Sequence, residues 1–218
     1  ASFVAALLDQ GTTTMSAEVI ANTIESAGGL LSVGAGNEVT FVNGAVVKDK
    51  VALALSLAAD VAQRPAFAAE EIQRQKDAAI SGLRVSAEDP EFIGNSLIDR
   101  LVFGFHPYGR PGPTTPQQIQ QISREDLVAF HRTWFAPNNA LVAIVGDLTA
   151  EEAFAAAEKA FGSWARRDVP TVTFDDPPPP TRRVVVVDRP GAVQTEIRVG
   201  QIGISRTNPE YTAVDLMM

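Results

Sequence analysis

The stretch that most constrains the fold is the first. Residues 1–12, ASFVAALLDQGT, read as a short helix closed by Gly11. From Ser2 to Leu8 no side chain titrates near neutral pH. The side chains of this helix can neither hold a metal well nor take up a proton. The sequence also opens inside this helix without a capping residue, which predicts that a longer parent was trimmed.

Beyond Thr12 the pattern is mixed. Ser16 is a plausible N-cap for a helix over 17–27, which Gly28-Gly29 stops. Residues 30–35 and 38–47 are β-compatible and read as two strands, with Gly34 and Gly36 permitting a turn or bulge between them. Helices are expected over 51–61, which Pro65 ends, over 68–85, and over 90–101 behind Pro90. A loop rich in Gly and Pro spans 103–116. Ser123 and Asp126 are close to a capping box for a helix reaching about Trp134. A buried strand is expected over 140–145 and a helix over 150–164, capped by Thr149. Residues 177–180 are four prolines, a semi-rigid linker, followed by expected strands at 183–187 and 192–203 and the start of a helix at 208–218.

This is the order of an α+β domain with a mostly antiparallel sheet packed against helices. It is not the strand–helix alternation of a doubly wound sheet. The expected organisation is a first domain over 1–176, the linker 177–180, and the opening of a truncated second domain over 181–218, too short to bury a core of its own.

Charge and composition exclude several functions. The formal net charge of -8 argues against a nucleic-acid binder, which needs a basic face. With no cysteine, a disulfide, a thiolate metal site and a Cys nucleophile are all ruled out. No apolar run approaches the roughly 18 residues of a membrane span. The two histidines, His106 in a loop and His131 in a helix, have no carboxylate at a recognisable metal spacing, and both read as packing residues. Zinc catalysis needs three protein ligands and an open position, for which two histidines are too few. The adjacent carboxylates Glu70-Glu71 and Glu151-Glu152 suit helix N-termini. No G-x-S-x-G elbow is present, and the glycine clusters lack the lysine of a phosphate loop. Taken alone, the residues describe an acidic α+β domain without a self-contained active site.

Several pieces in order are similar to the pitrilysin family (M16) of zinc peptidases. They are Gly11-Thr12 after an apolar helix; IESAGG followed by LLSVGAGNEVTF; RPAF followed by AAEEIQRQKDAAISGLR; HPYGRP followed by ISREDLVAFHRTWFAPNNALVAIVGDLTAEEA; FGSW; and VVVVDRPGAVQTEIRVGQIGISRTNPEY. Relatives in that family include insulin-degrading enzyme, the mitochondrial processing peptidase and the core proteins of the bc1 complex. The resemblance implies the processing-peptidase-like metallohydrolase fold, with a first strand before Ala1.

Active members of the family carry H-x-x-E-H on the first helix, just before the Gly-Thr, and a further Glu ligand in a later helix. Counting back from Gly11-Thr12, the two His positions fall at Ser2 and Ala6 and the Glu at Ala5. The distal Glu falls at Gly82, and an accompanying acidic position falls at Gln75. All are uncharged here. The chain therefore resembles the family's inactive subunits. These pair with an active M16 peptidase subunit and enclose an unfolded peptide substrate in a clam-shell chamber. The resemblance implies no cofactor in this chain, zinc only in the partner, and peptide-bond hydrolysis carried out by that partner. Substrate would add as a strand at the counterpart of Ser32, Val33, Gly34 and Ala35, although Gly34 and Gly36 make that a bendable edge. The other role within the family is structural, like that of the bc1 core proteins. A bacterial, Gram-negative envelope location is implied at family level only.

Overall fold

In the computed structural model, which describes residues 1–109, 115–179 and 181–217, the chain is α+β. Residues 110–114 of the Gly- and Pro-rich loop, Pro180 of the linker and Met218 lie outside the described residues. The chain divides into two compact units: Ala1–Leu83 with Pro113–Val172, and Arg84–Gly112 with Thr173–Met218.

The first unit holds the sheet. Helix α1 is a single turn, Ser2–Ala5, shorter than the pattern predicts, and tight turns carry the chain on to Gly11. Helix α2 (Ala17–Ser26) begins where the Ser16 hydroxyl accepts the Val19 N–H at 3.3 Å. Strands β1 (Leu30–Ala35) and β2 (Thr40–Ala45) form an antiparallel hairpin, with Leu31 opposite Gly44, Val33 opposite Val42 and Gly34 opposite Phe41. Helix α3 (Val51–Gln63) packs on β2, α2 packs on β1, and α1 touches both strands. Helix α4 (Ala69–Ser86) follows. After α6 (Pro116–Gln121), a helix in a stretch to which the sequence pattern assigns no element, come α7 (Arg124–Trp134) and α8 (Ala150–Phe161). Both of these open with a full capping box. Ser123 and Asp126 exchange bonds of 2.8 and 3.1 Å, and Thr149 and Glu152 bonds of 2.9 and 3.2 Å.

The core explains the helix that begins the chain. Val4, Leu7 and Leu8 lie with Ile20, Val61, Phe67, Ile72 and Leu127 in one buried cluster, and Leu8 has no exposed surface at all. The inner face of the hairpin, Leu31, Val33 and Val42, closes over it. Apolar side chains of this first stretch thus sit in the centre of the unit.

His131 sits at the edge of this cluster. Its Nε2–H donates to the Ala62 carbonyl at 2.8 Å, and its ring stacks on Phe135 with centroids 4.5 Å apart. Burial pushes the imidazole below its ordinary value, and the nearby Arg167 adds to this, against the opposing effect of the hydrogen bond to Ala62.

In the second unit, α5 (Pro90–Phe103) starts at Asp89, whose carboxylate accepts the Glu91 N–H at 2.9 Å. An extended C-terminal segment is tied to it. Arg198 donates from Nε to Asn95 at 2.7 Å and pairs with Glu91 at 3.3 Å, while Arg189 donates to the Glu88 carbonyl at 2.9 Å. Helix α9 (Tyr211–Asp215) is one turn long.

Three expected strands are not formed. Residues 140–145, 183–187 and 192–203 are extended or turning backbone without ladder pairing, and β1 and β2 are the only strands among the described residues. A strand needs a neighbour to take its N–H and C=O groups, and no further ladder forms among the described residues. Their apolar side chains stay in solvent: Val145 is 97% exposed and Val193 98%. Alternating hydrophobicity records a preference for a sheet but does not provide one.

Two variants probe this packing. Leu8→Ala, which opens a void in the fully buried cluster, should cost about 2–5 kcal/mol, seen as a lower urea midpoint at unchanged m-value. For His131, the unfolded chain takes up the proton more readily than the folded one. Its contribution is therefore complete above the ordinary value of 6.5 and is lost as pH falls from there through the lower folded value. Stability measured between pH 7 and 5 should fall in the native chain. It should fall less in His131→Gln, which keeps an N–H for Ala62 without a titrating ring.

Candidate functional site

Two places carry the residues singled out from the sequence: the seam between α1 and α4, and the outer edge of β1. The seam begins with Gly11, whose φ of +110° is open to glycine and strained for other residues. That conformation turns the chain so that Thr12 forms a β-bridge with Pro65. The Thr13 N–H donates to the Arg64 carbonyl at 2.9 Å and the Ala66 N–H to the Gly11 carbonyl at 3.0 Å. Beneath lies Asp60, a buried carboxylate. It accepts the Thr14 hydroxyl at 2.9 Å and Arg64 Nε at 2.6 Å. The Gly-Thr pair that marks the family's helix end in the sequence is thus a structural fastening of the α1 exit to the end of α3.

Ser2 is exposed, Ala6 is partly exposed, and Ala5 is 1% exposed. From α4, Gln75 Nε2 donates to the Ala6 carbonyl at 3.3 Å, and the adjacent Arg74 reaches Gln10 and Glu71. The structure therefore joins the Ala6 and Gln75 positions directly. Gly82 lies seven residues farther along α4, two turns on the same face, roughly 10 Å along the axis. It is exposed, and a Cβ built on it meets nothing within 4 Å.

This donor set does not fit zinc. Zinc is held by thiolate, imidazole or carboxylate, and Ser2, Ala5, Ala6, Gln75 and Gly82 offer none of these. At Gln75 the amide uses its N–H, not its oxygen, toward α1. Among the described residues no three His, Cys, Asp or Glu side chains come together as a metal site. Neither histidine belongs to the seam. His131 is a core residue. His106 accepts the Tyr108 N–H on Nδ1 at 3.2 Å and packs among Phe103, Tyr108 and Phe174 in the second unit.

Ser32, Val33, Gly34 and Ala35 all lie in β1. Gly36 N–H donates to Val39 O at 2.8 Å, which makes that pair a hydrogen-bonded one. By alternation, Gly34, Ser32 and Leu30 bond to β2, while Leu31, Val33 and Ala35 direct their N–H and C=O groups to the opposite edge. No described segment pairs with that edge. Gly34 is not a weak point in it. Phe41 lies across Gly34 from the facing strand, and a Cβ there would come within 2.8 Å of the ring atom Cε2 and closer still to Cζ. The strand expected to bend at its glycines pairs in full register with β2, and Gly34 is the seat of an aromatic ring.

Comparison with known proteins decides the family. The profile described as Insulinase (Peptidase family M16) matches residues 1–111, about half the chain, and the one described as Peptidase M16 inactive domain matches residues 121–218. The chain belongs to peptidase family M16. An uncharacterized zinc protease of Mycobacterium leprae is 29% identical over 163 residues, 75% of this chain and 37% of that protein. A probable mitochondrial-processing peptidase subunit beta of Arabidopsis thaliana is 24% identical across 100% of this chain and 41% of its own length. Among solved structures, a peptidase M16 inactive domain from Pseudomonas fluorescens superposes with a TM-score of 0.73 at 25% identity, covering 81% of this chain and 43% of that one. Pitrilysin shares the fold, with a TM-score of 0.68 at 15% identity over 81% of this chain and 20% of its own. This M16 chain thus spans about two fifths of the length of the curated relatives it matches.

The seam makes a specific expectation. Gln75→Glu replaces a donor with a carboxylate facing the Ala6 carbonyl, and should cost on the order of 1 kcal/mol at pH 7. The loss should shrink below about pH 4, where a protonated Glu can donate again. Urea unfolding at the two pH values checks both.

Proposed function

We propose that this M16 chain acts as a non-catalytic subunit. It pairs with an active, zinc-bearing M16 peptidase subunit and lines the chamber in which that partner hydrolyses an unfolded peptide. The observation that carries the reading is the residue set at the family's metal and base positions. Ser2, Ala5, Ala6 and Gly82 are small and non-ligating on both of the helices that would have to supply ligands. A change at one position would be a single substitution; a change at all of them, within a fold that is otherwise of the family, is a change of role.

The fold geometry supports the reading in two ways. Ala5 is buried, so the position of the water-activating base faces the core and not a solvent-filled cleft. Gln75 spends its amide on holding α1, a use that an ionised carboxylate could not make. On this reading the chain holds no zinc, and β1 presents Leu31, Val33 and Ala35 as a template for an added strand of substrate. Residues 181–218 open a second M16-like domain behind the linker at 177–180. The names of the relatives, zinc protease and processing peptidase, are consistent with peptide hydrolysis as the partner's chemistry.

The purified chain should contain well under one zinc per chain by metal analysis and show no peptidase activity by itself. Affinity purification from the native host should bring down a second M16 chain that carries H-x-x-E-H. The triple variant Ser2→His, Ala5→Glu, Ala6→His should remain inactive, because Gly82 still leaves the site a ligand short. It should also be less stable, because a carboxylate is forced into the core at position 5. One zinc per native chain, or turnover by the triple variant alone, would refute the proposal.

A further inference from the structure

The hairpin carries a feature that peptide pairing alone does not need. On its inner face Leu31, Val33 and Val42 join the core. On its outer face the registered residues are Leu30, Ser32 and Gly34 on β1 and Asn43 and Phe41 on β2, and Val39 continues that face past the turn. Leu30, Val39 and Phe41 are all exposed there; Phe41 keeps 42% of its surface in solvent. Directly opposed side chains normally stand 4.5–5.5 Å apart at Cβ. Phe41 instead has its ring tip at the place a Gly34 Cβ would occupy, so the ring spans the strand pair and reaches the outer strand.

A third strand laid along β1 would run about 4.8 Å beyond it. It would take its main-chain bonds from Leu31, Val33 and Ala35, which have no hydrogen-bond partner on that side among the described residues. Its side chains would alternate between the two faces, and the residue beside Gly34 would point outward. No Gly34 side chain stands between that residue and Phe41. The neighbour it meets is the aromatic ring.

We propose that Phe41, reaching over Gly34, is a specificity-determining contact for a peptide strand bound along β1, and that it selects an aromatic side chain at the position beside Gly34. This rests on the reading of β1 as a strand template. An aromatic pair adds about 0.5–1.5 kcal/mol beyond buried area, which corresponds to a preference of roughly three- to tenfold. A carboxylate at that position would face Leu30, Val39 and Phe41 with no cation among them, so acidic peptides bind least.

The test uses the full chain, labelled with 15N, and terminally blocked seven-residue peptides of β-favouring sequence with Phe, Ala or Asp at the centre. The amides of Leu31, Val33 and Ala35 report edge pairing, and the ratio of affinities for the Phe and Ala peptides reports the contact. The expected result is a shift of those three amides, a Phe-over-Ala ratio of three to ten, and a ratio near one in Phe41→Ala. Edge shifts without a preference, or a preference that survives Phe41→Ala, overturn the proposal and leave β1 as a template. Absence of any edge shift removes the template reading and the proposal together. Should Phe41→Ala fail to fold by circular dichroism, Phe41→Leu replaces it. A Phe-over-Ala ratio unchanged from the native chain in that variant overturns the proposal equally.

Discussion

Burial of the apolar residues that open the chain sets the terms for the first unit. Val4, Leu7 and Leu8 can be removed from water only if other elements surround them, and the unit is built in that way: α2, α3, α4 and α7 contribute one or more side chains each and the hairpin lies over the cluster. Burial alone is non-directional and would not fix where the turn leads. Direction comes from Gly11 and Thr13, whose backbone bonds to Ala66 and Arg64 stitch the exit of α1 to the end of α3, with Asp60 accepting from Thr14 and Arg64 below them. A buried carboxylate is tolerated because both its oxygens are used. Phe67, at a φ of +46°, is held just beyond this fastening by Arg124, whose guanidinium donates to the carbonyls of Ala66 and Phe67 at 3.1 and 3.0 Å. The strain at one residue is thus supported by a side chain from another helix.

Much of this was legible in the sequence because it depends on local rules. Ser16, Ser123 and Thr149 cap the helices where short polar residues precede apolar periodicity, and the Asp126 capping box forms although Asp is the shorter acid. The hairpin and the helices α3, α4 and α5 lie within a few residues of their expected bounds. The failures are non-local. Residues 140–145, 183–187 and 192–203 have strand-like composition, yet pairing needs a neighbour that composition does not specify. Helix α6 was hidden because PQQIQQ has a single buried apolar residue, Ile119, and its start depends on the Thr115 hydroxyl accepting from Gln118.

The candidate site divides along the same line. That Ser2, Ala5, Ala6 and Gly82 hold no ligating group can be read from residue types. That Gln75 turns its N–H onto the Ala6 carbonyl cannot, and neither can the covering of Gly34 by Phe41. A glycine inside a strand suggests a bulge or a bend when read alone. Here the register is unbroken, and the missing Cβ leaves room for the tip of the Phe41 ring.

On the proposed reading, the seam and the hairpin share a physical logic. A metal-bearing helix seam has to keep charged or ionisable groups close together and hydrated, which works against burial. With Ser2, Ala5, Ala6 and Gly82 in those places, as the proposal has it, that opposition is absent, and α1 packs into the core with Ala5 1% exposed and the Gln75 amide at its flank. The seam then adds stability to the same element whose edge strand is left free. Holding β1 from below, through Leu31 and Val33, fixes the outward groups of Leu31, Val33 and Ala35. A strand template works only if its donors and acceptors are already spaced for pairing, because ordering them on binding would cost conformational entropy at each residue. On the proposed reading, a packed seam beneath a fully registered strand pair is what a template for an extended chain requires.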